Sequence, residues 1–226
     1  VTRLVLFDLD GTLIDSECGI VASIEYALTT LSASVPPRDV LRTWIGPPLR
    51  ATFPLALGND EDRVEQAVAL YRERYSAIGW REHVVYPHIG EAIDALAEAG
   101  AELAVVTSKA DMYASMIVES LPFGARFRRV YAVGPNSSHS EKASMIARAL
   151  ADFDVAPAAA AMVGDRHFDI EGARANGVRG VGVLWGFGSH EELTDAGADA
   201  VAETPAQLVP LLRVRPPLDE SACSAA

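Results

Sequence analysis

Residues 3–12 read Arg-Leu-Val-Leu-Phe-Asp-Leu-Asp-Gly-Thr. The run Leu4-Val5-Leu6-Phe7 is short, continuous and apolar, which predicts a strand buried on both faces; such strands belong to parallel sheets. It stops at Asp8-Leu9-Asp10-Gly11. Two carboxylates two residues apart at the end of a strand project from the same edge. Gly11 permits a tight turn and a close backbone approach there. Neighbouring carboxylates repel unless a cation separates them. Magnesium, a hard ion that prefers oxygen donors, suits that role. The same residues also suit a plain turn or a helix N-cap.

Outward from this stretch, apolar runs at Glu102–Val106, Arg129–Val133, Ala159–Val163 and Gly180–Leu184 predict further strands. Between them, Ile89–Ala99, Ala110–Leu121, Glu141–Phe153 and Asp169–Asn176 carry apolar residues at helical spacing. The alternation predicts an α/β fold, a Rossmann-like, doubly wound parallel sheet. Residues 16–85 break it. They read as helix throughout, over Ser16–Leu31, Pro37–Trp44, Leu49–Leu57 and Glu61–Ile78. The expected organisation is therefore a core of residues 1–15 and 86–213, a small all-helical cap of residues 16–85 inserted after the first strand, and a flexible tail of residues 214–226. Such a cap lies above the sheet edge where ligands bind in open α/β folds.

The chain has 226 residues, 50% of them apolar, and a formal net charge of −12. That is enough apolar material for a real core. Its apolar runs are well short of the ~20 residues of a membrane-spanning helix. The acidic balance disfavours nucleic acid and anionic membrane surfaces as partners. Two cysteines and a start without a basic, apolar secretory leader predict a cytoplasmic protein. Among 19 basic residues only Lys109 and Lys142 are lysines, and both fall at predicted junctions before helices.

Those junctions repeat the pattern of the first strand. Val106-Thr107-Ser108-Lys109 ends a strand with hydroxyls, suited to a phosphate oxygen at a helix N-terminus or to ordinary capping. Lys142 sits at a helix start, against the dipole, unless an anion stands nearby; a solvated surface lysine reads equally well there. Met162-Val163-Gly164-Asp165 ends a strand and leads to Asp169 in the next helix. Asp165 can complete a metal shell and Asp169 can orient a bound water or the lysine. His167 is expected to face solvent.

In order and approximate spacing, Asp8-Leu9-Asp10-Gly11-Thr12, Thr107, Lys142 and Gly164-Asp165-x-x-x-Asp169 resemble the four motifs of the haloacid dehalogenase superfamily. The helical insertion and the segment Val181–Ser189 resemble its phosphoglycolate phosphatase branch. The resemblance implies a phosphatase. Asp8 would be the nucleophile and Asp10 the general acid and base. Thr107, Ser108 and Lys142 would hold the phosphoryl group. Asp8, the backbone carbonyl of Asp10, and Asp165 would bind Mg2+, with Gly11 and Asp169 supporting them.

Asp10, missing from members that cleave carbon–halogen bonds, disfavours that chemistry. Members that cleave carbon–phosphorus bonds use a cap lysine, and residues 16–86 contain none. The expected substrate is a small phosphorylated metabolite resembling phosphoglycolate, turned over by a monomer or homodimer. Arg50, or Arg42, would read a carboxylate or second phosphate through its planar fork, though both also suit a turn surface. Ile45-Gly46-Pro47-Pro48-Leu49 resembles nucleotidase members instead, with Trp44 or Phe53 stacking a base. A sugar phosphomutase and a non-catalytic phospho-ligand binding protein complete the alternatives.

Overall fold

The structure, a computed structural model, describes residues 1–134, 142–212 and 214. In chain order the elements begin with β1 (Leu4–Phe7), β2 (Ile14–Asp15), α1 (Glu17–Thr30), α2 (Arg38–Arg42), α3 (Leu49–Thr52), α4 (Pro54–Leu57), α5 (Glu61–Ala77) and β3 (Val84–Val85). There follow α6 (Ile89–Glu98), β4 (Glu102–Ala110), α7 (Asp111–Ser120), β5 (Phe127–Val133), α8 (Lys142–Phe153), β6 (Ala160–Gly164) and α9 (His167–Ala175). The chain closes with β7 (Arg179–Val183), α10 (His190–Asp195), β8 (Ala200–Ala202) and α11 (Leu208–Leu212).

Six strands form one parallel sheet in the order β5-β4-β1-β6-β7-β8. β1 is central, which is why its four residues are all wholly buried. Successive side chains of a strand point to opposite faces. Val5 and Phe7 accordingly join Leu103, Val105, Ala161 and Val163 on the face covered by Ile93, Leu96, Ile117 and Leu208. Leu4 and Leu6 join Ala104, Val106 and Met162 on the other, covered by Ile146, Ala149 and Ala173. Full burial of each such aliphatic side chain contributes about 1.5–3 kcal/mol before chain entropy is counted.

Helices α1–α5 bury a separate core of Ile24, Leu28, Leu41, Trp44, Phe53, Val64 and Val68. Trp44 and Phe53 meet edge to face at 6.3 Å. Asp60 caps α5 by accepting from the Arg63 amide over 3.1 Å.

The expectation of helix throughout residues 16–85 needs one correction. Val84–Val85 is a strand, paired antiparallel with β2 through Ile14↔Val85 and Asp15↔Val84. A two-residue strand is too short to show a period. β4 also runs past Val106 to Ala110, with an irregular register that lets Ala110 pair with Val133, so Lys109 lies at the end of the strand, just before α7. The sequence reading missed β8, α10 and α11, each six residues or shorter. Of the tail expected from residue 214, Val214 packs on the core and residues 215–226 lie outside the described residues. The start expected for α8 at Glu141 also lies outside them, and the helix is described from Lys142.

Candidate active site

The carboxyl ends of β1, β4 and β6 are neighbours in the sheet, so the side chains that follow them converge at one edge. Asp8 leaves β1 with its amide bonded to the Val163 carbonyl at 2.9 Å. Gly11 then turns the chain at φ +82°, a conformation costly for other residues. A Cβ at Gly11 would overlap the Asp165 carboxylate. One at Gly186 would overlap both that carboxylate and the Gly11 carbonyl. At Gly11 and Gly186, therefore, the backbone packs against Asp165 with no room for a side chain.

Asp165 and Asp169 are wholly buried and Asp8 nearly so. One oxygen of each lies within 4.8 Å of the others. Lys142, at the first residue of α8, places its Nζ 2.7 Å from Asp8 Oδ2 and also donates to Asp169 Oδ1. The other Asp169 oxygen accepts from the Arg166 amide at 3.0 Å. Asp165 accepts from the Thr12 hydroxyl at 3.2 Å and the Phe187 amide at 2.8 Å. Asp8 Oδ1 is buried without a hydrogen-bond partner among the described residues.

Three carboxylates thus lie together with one ammonium, which pairs with two of them, and the electrostatics follow. Burial, with Asp169 and Asp10 as like-charged neighbours, raises Asp8 to about 6 against the pull of Lys142. Burial, then Asp169 and Asp8, raise Asp165 to about 8 against the Phe187 amide and Lys142. Burial alone would lower Lys142, but Asp169 and Asp8 hold it above its usual value. Hard oxygen donors, excess negative charge and an unpartnered buried oxygen fit a Mg2+ ion.

Asp10 points elsewhere. Lys109 Nζ meets its two carboxylate oxygens at 2.8 and 2.7 Å. Thr107 is buried and its hydroxyl accepts from the Lys109 amide at 3.2 Å, while Ser108 is exposed at the wall of the cavity.

That cavity, about 740 Å³, lies between the site and the helical cap and includes Asp8, Asp10, Thr107, Lys109 and Lys142 in its lining. Arg50 reaches its rim but is exposed and clasped by Glu65 through two bonds of 2.5 and 2.8 Å. Arg42 leans on the Phe187 ring at 5.6 Å and lies 3.4 Å from Glu17. Trp44 lines the cavity, whereas Phe53 is wholly buried in the cap core and is not available to stack a base. His167 is half-buried rather than free in solvent, 2.8 Å from Glu192, which Arg166 also grips at 2.8 Å.

The sequence reading missed Tyr71, Tyr75 and Tyr113 on the cavity wall. Tyr71 and Tyr75, one turn apart on α5, stack at 5.4 Å, and Tyr113 of α7 meets Tyr75 edge-on at 5.2 Å. The four-residue spacing of the first pair was the available signal.

Comparison with known proteins agrees with this geometry. A family model described as haloacid dehalogenase-like hydrolase matches residues 5–183. The chain is 40% identical over 186 residues to the tyrosine-protein kinase PtkA of Mycobacterium tuberculosis, covering 82% of this chain but only 63% of that relative's length. It is 39% identical over 189 residues to a 5'-nucleotidase of Pseudomonas aeruginosa, covering 84% and 86%. Over 220 residues it is 29% identical to a phosphoglycolate phosphatase of Pseudomonas putida, covering 93% and 77%. A solved haloacid dehalogenase-like hydrolase from Streptococcus pneumoniae superposes with a TM-score of 0.87 at 31% identity, covering 94% of this chain and 99% of that one. The site of converging aspartates on a doubly wound sheet and the match across residues 5–183 lead to one conclusion: the chain belongs to the haloacid dehalogenase-like hydrolase family.

Proposed function

We propose that this protein is a magnesium-dependent phosphatase that hydrolyses a small phosphomonoester through an aspartyl-phosphate on Asp8. The observation that carries the reading is the Asp8 carboxylate, with Oδ2 fixed by Lys142 at 2.7 Å and Oδ1 buried and unpartnered. A carboxylate held by an ammonium at one oxygen, with the other free for a metal ion, is a nucleophile held in a set direction.

In the first half-reaction an Asp8 oxygen bonds to phosphorus. The bond from phosphorus to the leaving oxygen breaks as Asp10 gives that oxygen a proton. In the second, a water oxygen bonds to phosphorus, its proton passes to Asp10, and the bond between phosphorus and Asp8 breaks. Lys142 neutralises charge on the phosphoryl oxygens, with Thr107 and Ser108 as hydrogen-bonding groups at the end of β4. Asp8, Asp165 and the Asp10 carbonyl would hold the Mg2+, and Asp169 orients Lys142. What the bound ion supplies is positive charge that offsets the carboxylates and the phosphoryl oxygens. A cytoplasmic site of action is part of this proposal, supported by the low cysteine content; no helix among the described residues is long and apolar enough to cross a membrane.

Two substrates fit the class, phosphoglycolate and a nucleoside 5'-monophosphate. The size of the cavity and its Trp44, Tyr71 and Tyr113 lining favour the second. The engagement of Arg50 by Glu65 makes one of the two arginines expected for a carboxylate less available. Phosphate release from phosphoglycolate, nucleoside monophosphates and hexose phosphates, with and without Mg2+, tests both levels. Asp8→Asn should abolish release from every substrate, and undiminished turnover in that variant would overturn the reading.

A further inference from the structure

The first half-reaction leaves Asp10 as a carboxylate, and the structure shows what receives it. Lys109 Nζ donates to both Asp10 oxygens, at 2.8 and 2.7 Å. The lysine side chain is 6% exposed, so this is an enclosed pair rather than a surface one. On its other side the ammonium faces the ring of Tyr75, 5.1 Å from the centroid. Tyr75 belongs to cap helix α5 and is itself buried, stacked on Tyr71 and met edge-on by Tyr113. The lysine is therefore bracketed by a core carboxylate and a cap aromatic ring. Ammonium–ring attraction strengthens with burial, and the lysine side chain is largely buried although it borders the cavity.

We infer that Lys109 is a positioning residue for the base form of Asp10, that it serves the water-activating half-reaction, and that Tyr75 makes its placement depend on the cap. The inference rests on the phosphatase reading above. A carboxylate presents about four lone-pair directions, and Lys109 takes two, leaving others to accept a proton from water. With both oxygens tied to one nitrogen the direction in which the carboxylate points is fixed, which is part of the positioning that proton transfer requires. The proton balance is unchanged: Asp10 gives one to the leaving oxygen and takes one from the attacking water. The lysine acts in the interval between, when Asp10 is ionised and hydrolysis of the aspartyl-phosphate awaits.

The consequence is kinetic and specific to one step. With p-nitrophenyl phosphate the leaving group departs without an acid, so kcat/KM reports Asp8 attack and kcat reports the hydrolysis that follows. Lys109→Met should lower kcat by about 100-fold, within the usual range for a positioned base, while kcat/KM changes less than about threefold. KM falls in parallel, a burst of nitrophenol appears before the steady state, and phosphorylated enzyme accumulates, visible as an added phosphate by intact-mass measurement. Lys109→Arg should recover part of kcat, and Tyr75→Leu should show the same split in smaller measure, with Tyr75→Phe closer to the parent. Asp10→Asn serves as the reference for loss of the base. If Lys109→Met lowers kcat and kcat/KM together, or lowers neither, the inference is wrong. If Asp10→Asn itself gives no burst, or no variant forms phosphorylated protein, the phosphatase mechanism fails first and takes the inference with it.

Discussion

The Lys142 ammonium lies 2.7 Å from Asp8 Oδ2, and it reaches there from the first residue of its helix, where the dipole opposes a cation. Asp8 and Asp169 together overcome that opposition and the cost of burial. Removing the ammonium leaves three carboxylates facing one another. Lys142→Met should destabilise the metal-free protein by about 3–5 kcal/mol at pH 8, the usual penalty for orphaning a buried charge. The loss should shrink at pH 5.5, where Asp8 and Asp165 carry protons. Urea denaturation at the two pH values reads the difference; equal losses would show that the lysine stabilises by packing alone.

The same raised carboxylates set the pH dependence of the unmutated protein. Both Asp8 and Asp165 bind protons more tightly folded than at the ordinary carboxylate value of 3.8. Such groups contribute stability that is full below the unfolded value and disappears as pH rises through about 6 and about 8. Metal-free protein should melt at progressively lower temperature between pH 5 and pH 9, by roughly 5 °C or more. Saturating Mg2+ should flatten or reverse the trend, because the ion takes the place of the protons. A metal-free melting temperature that rises over this interval would contradict the assignment.

Gly11 offers a test of the slot around Asp165. Gly11→Ala adds a methyl group that overlaps the Asp165 carboxylate and forces a left-handed backbone on a residue that resists it. The backbone cost alone should be about 1–3 kcal/mol. Displacing Asp165 should also weaken Mg2+ affinity, measurable by calorimetric titration. Unchanged affinity would mean that Asp165 is not a ligand.

Arg50 is expected to matter little. Its guanidinium is exposed and committed to Glu65, and an exposed pair of this kind is worth about 0–1 kcal/mol. Arg50→Ala should leave KM for phosphoglycolate and for a nucleoside monophosphate within about threefold. A selective rise for the carboxylated substrate would restore Arg50 to the binding site.

How much of this was legible in the sequence depended on the range of the interactions. The buried strand before Asp8 and the helix pattern of Ile89–Ala99 are local signals, and both elements stand where they were expected. Asp8, Asp10, Thr107, Lys142, Asp165 and Asp169 are strand-end and helix-start residues, so recognising the elements also grouped them. The Lys109–Asp10 pair spans 99 positions and depends on β4 running past its apolar run to Ala110, which no periodicity announces. Nor does any pattern announce Gly186 closing over Asp165, an approach created by the neighbouring positions of β6 and β7. The pairing of Arg50 escapes the sequence for a related reason, since its partner Glu65 lies on another helix.

The two-residue ribbon of β2 and β3 has an implication for how such a protein can be rebuilt. The chain enters and leaves the helical insertion along strands that are paired side by side, about 5 Å apart. A replacement segment needs ends that close to be spliced between Asp15 and Val84 without disturbing the sheet, and it needs a counterpart of Tyr75 to face Lys109. The insertion is thus a cassette, and exchanging it among relatives should transplant the choice of leaving group while Asp8, Lys142 and Asp165 keep the chemistry.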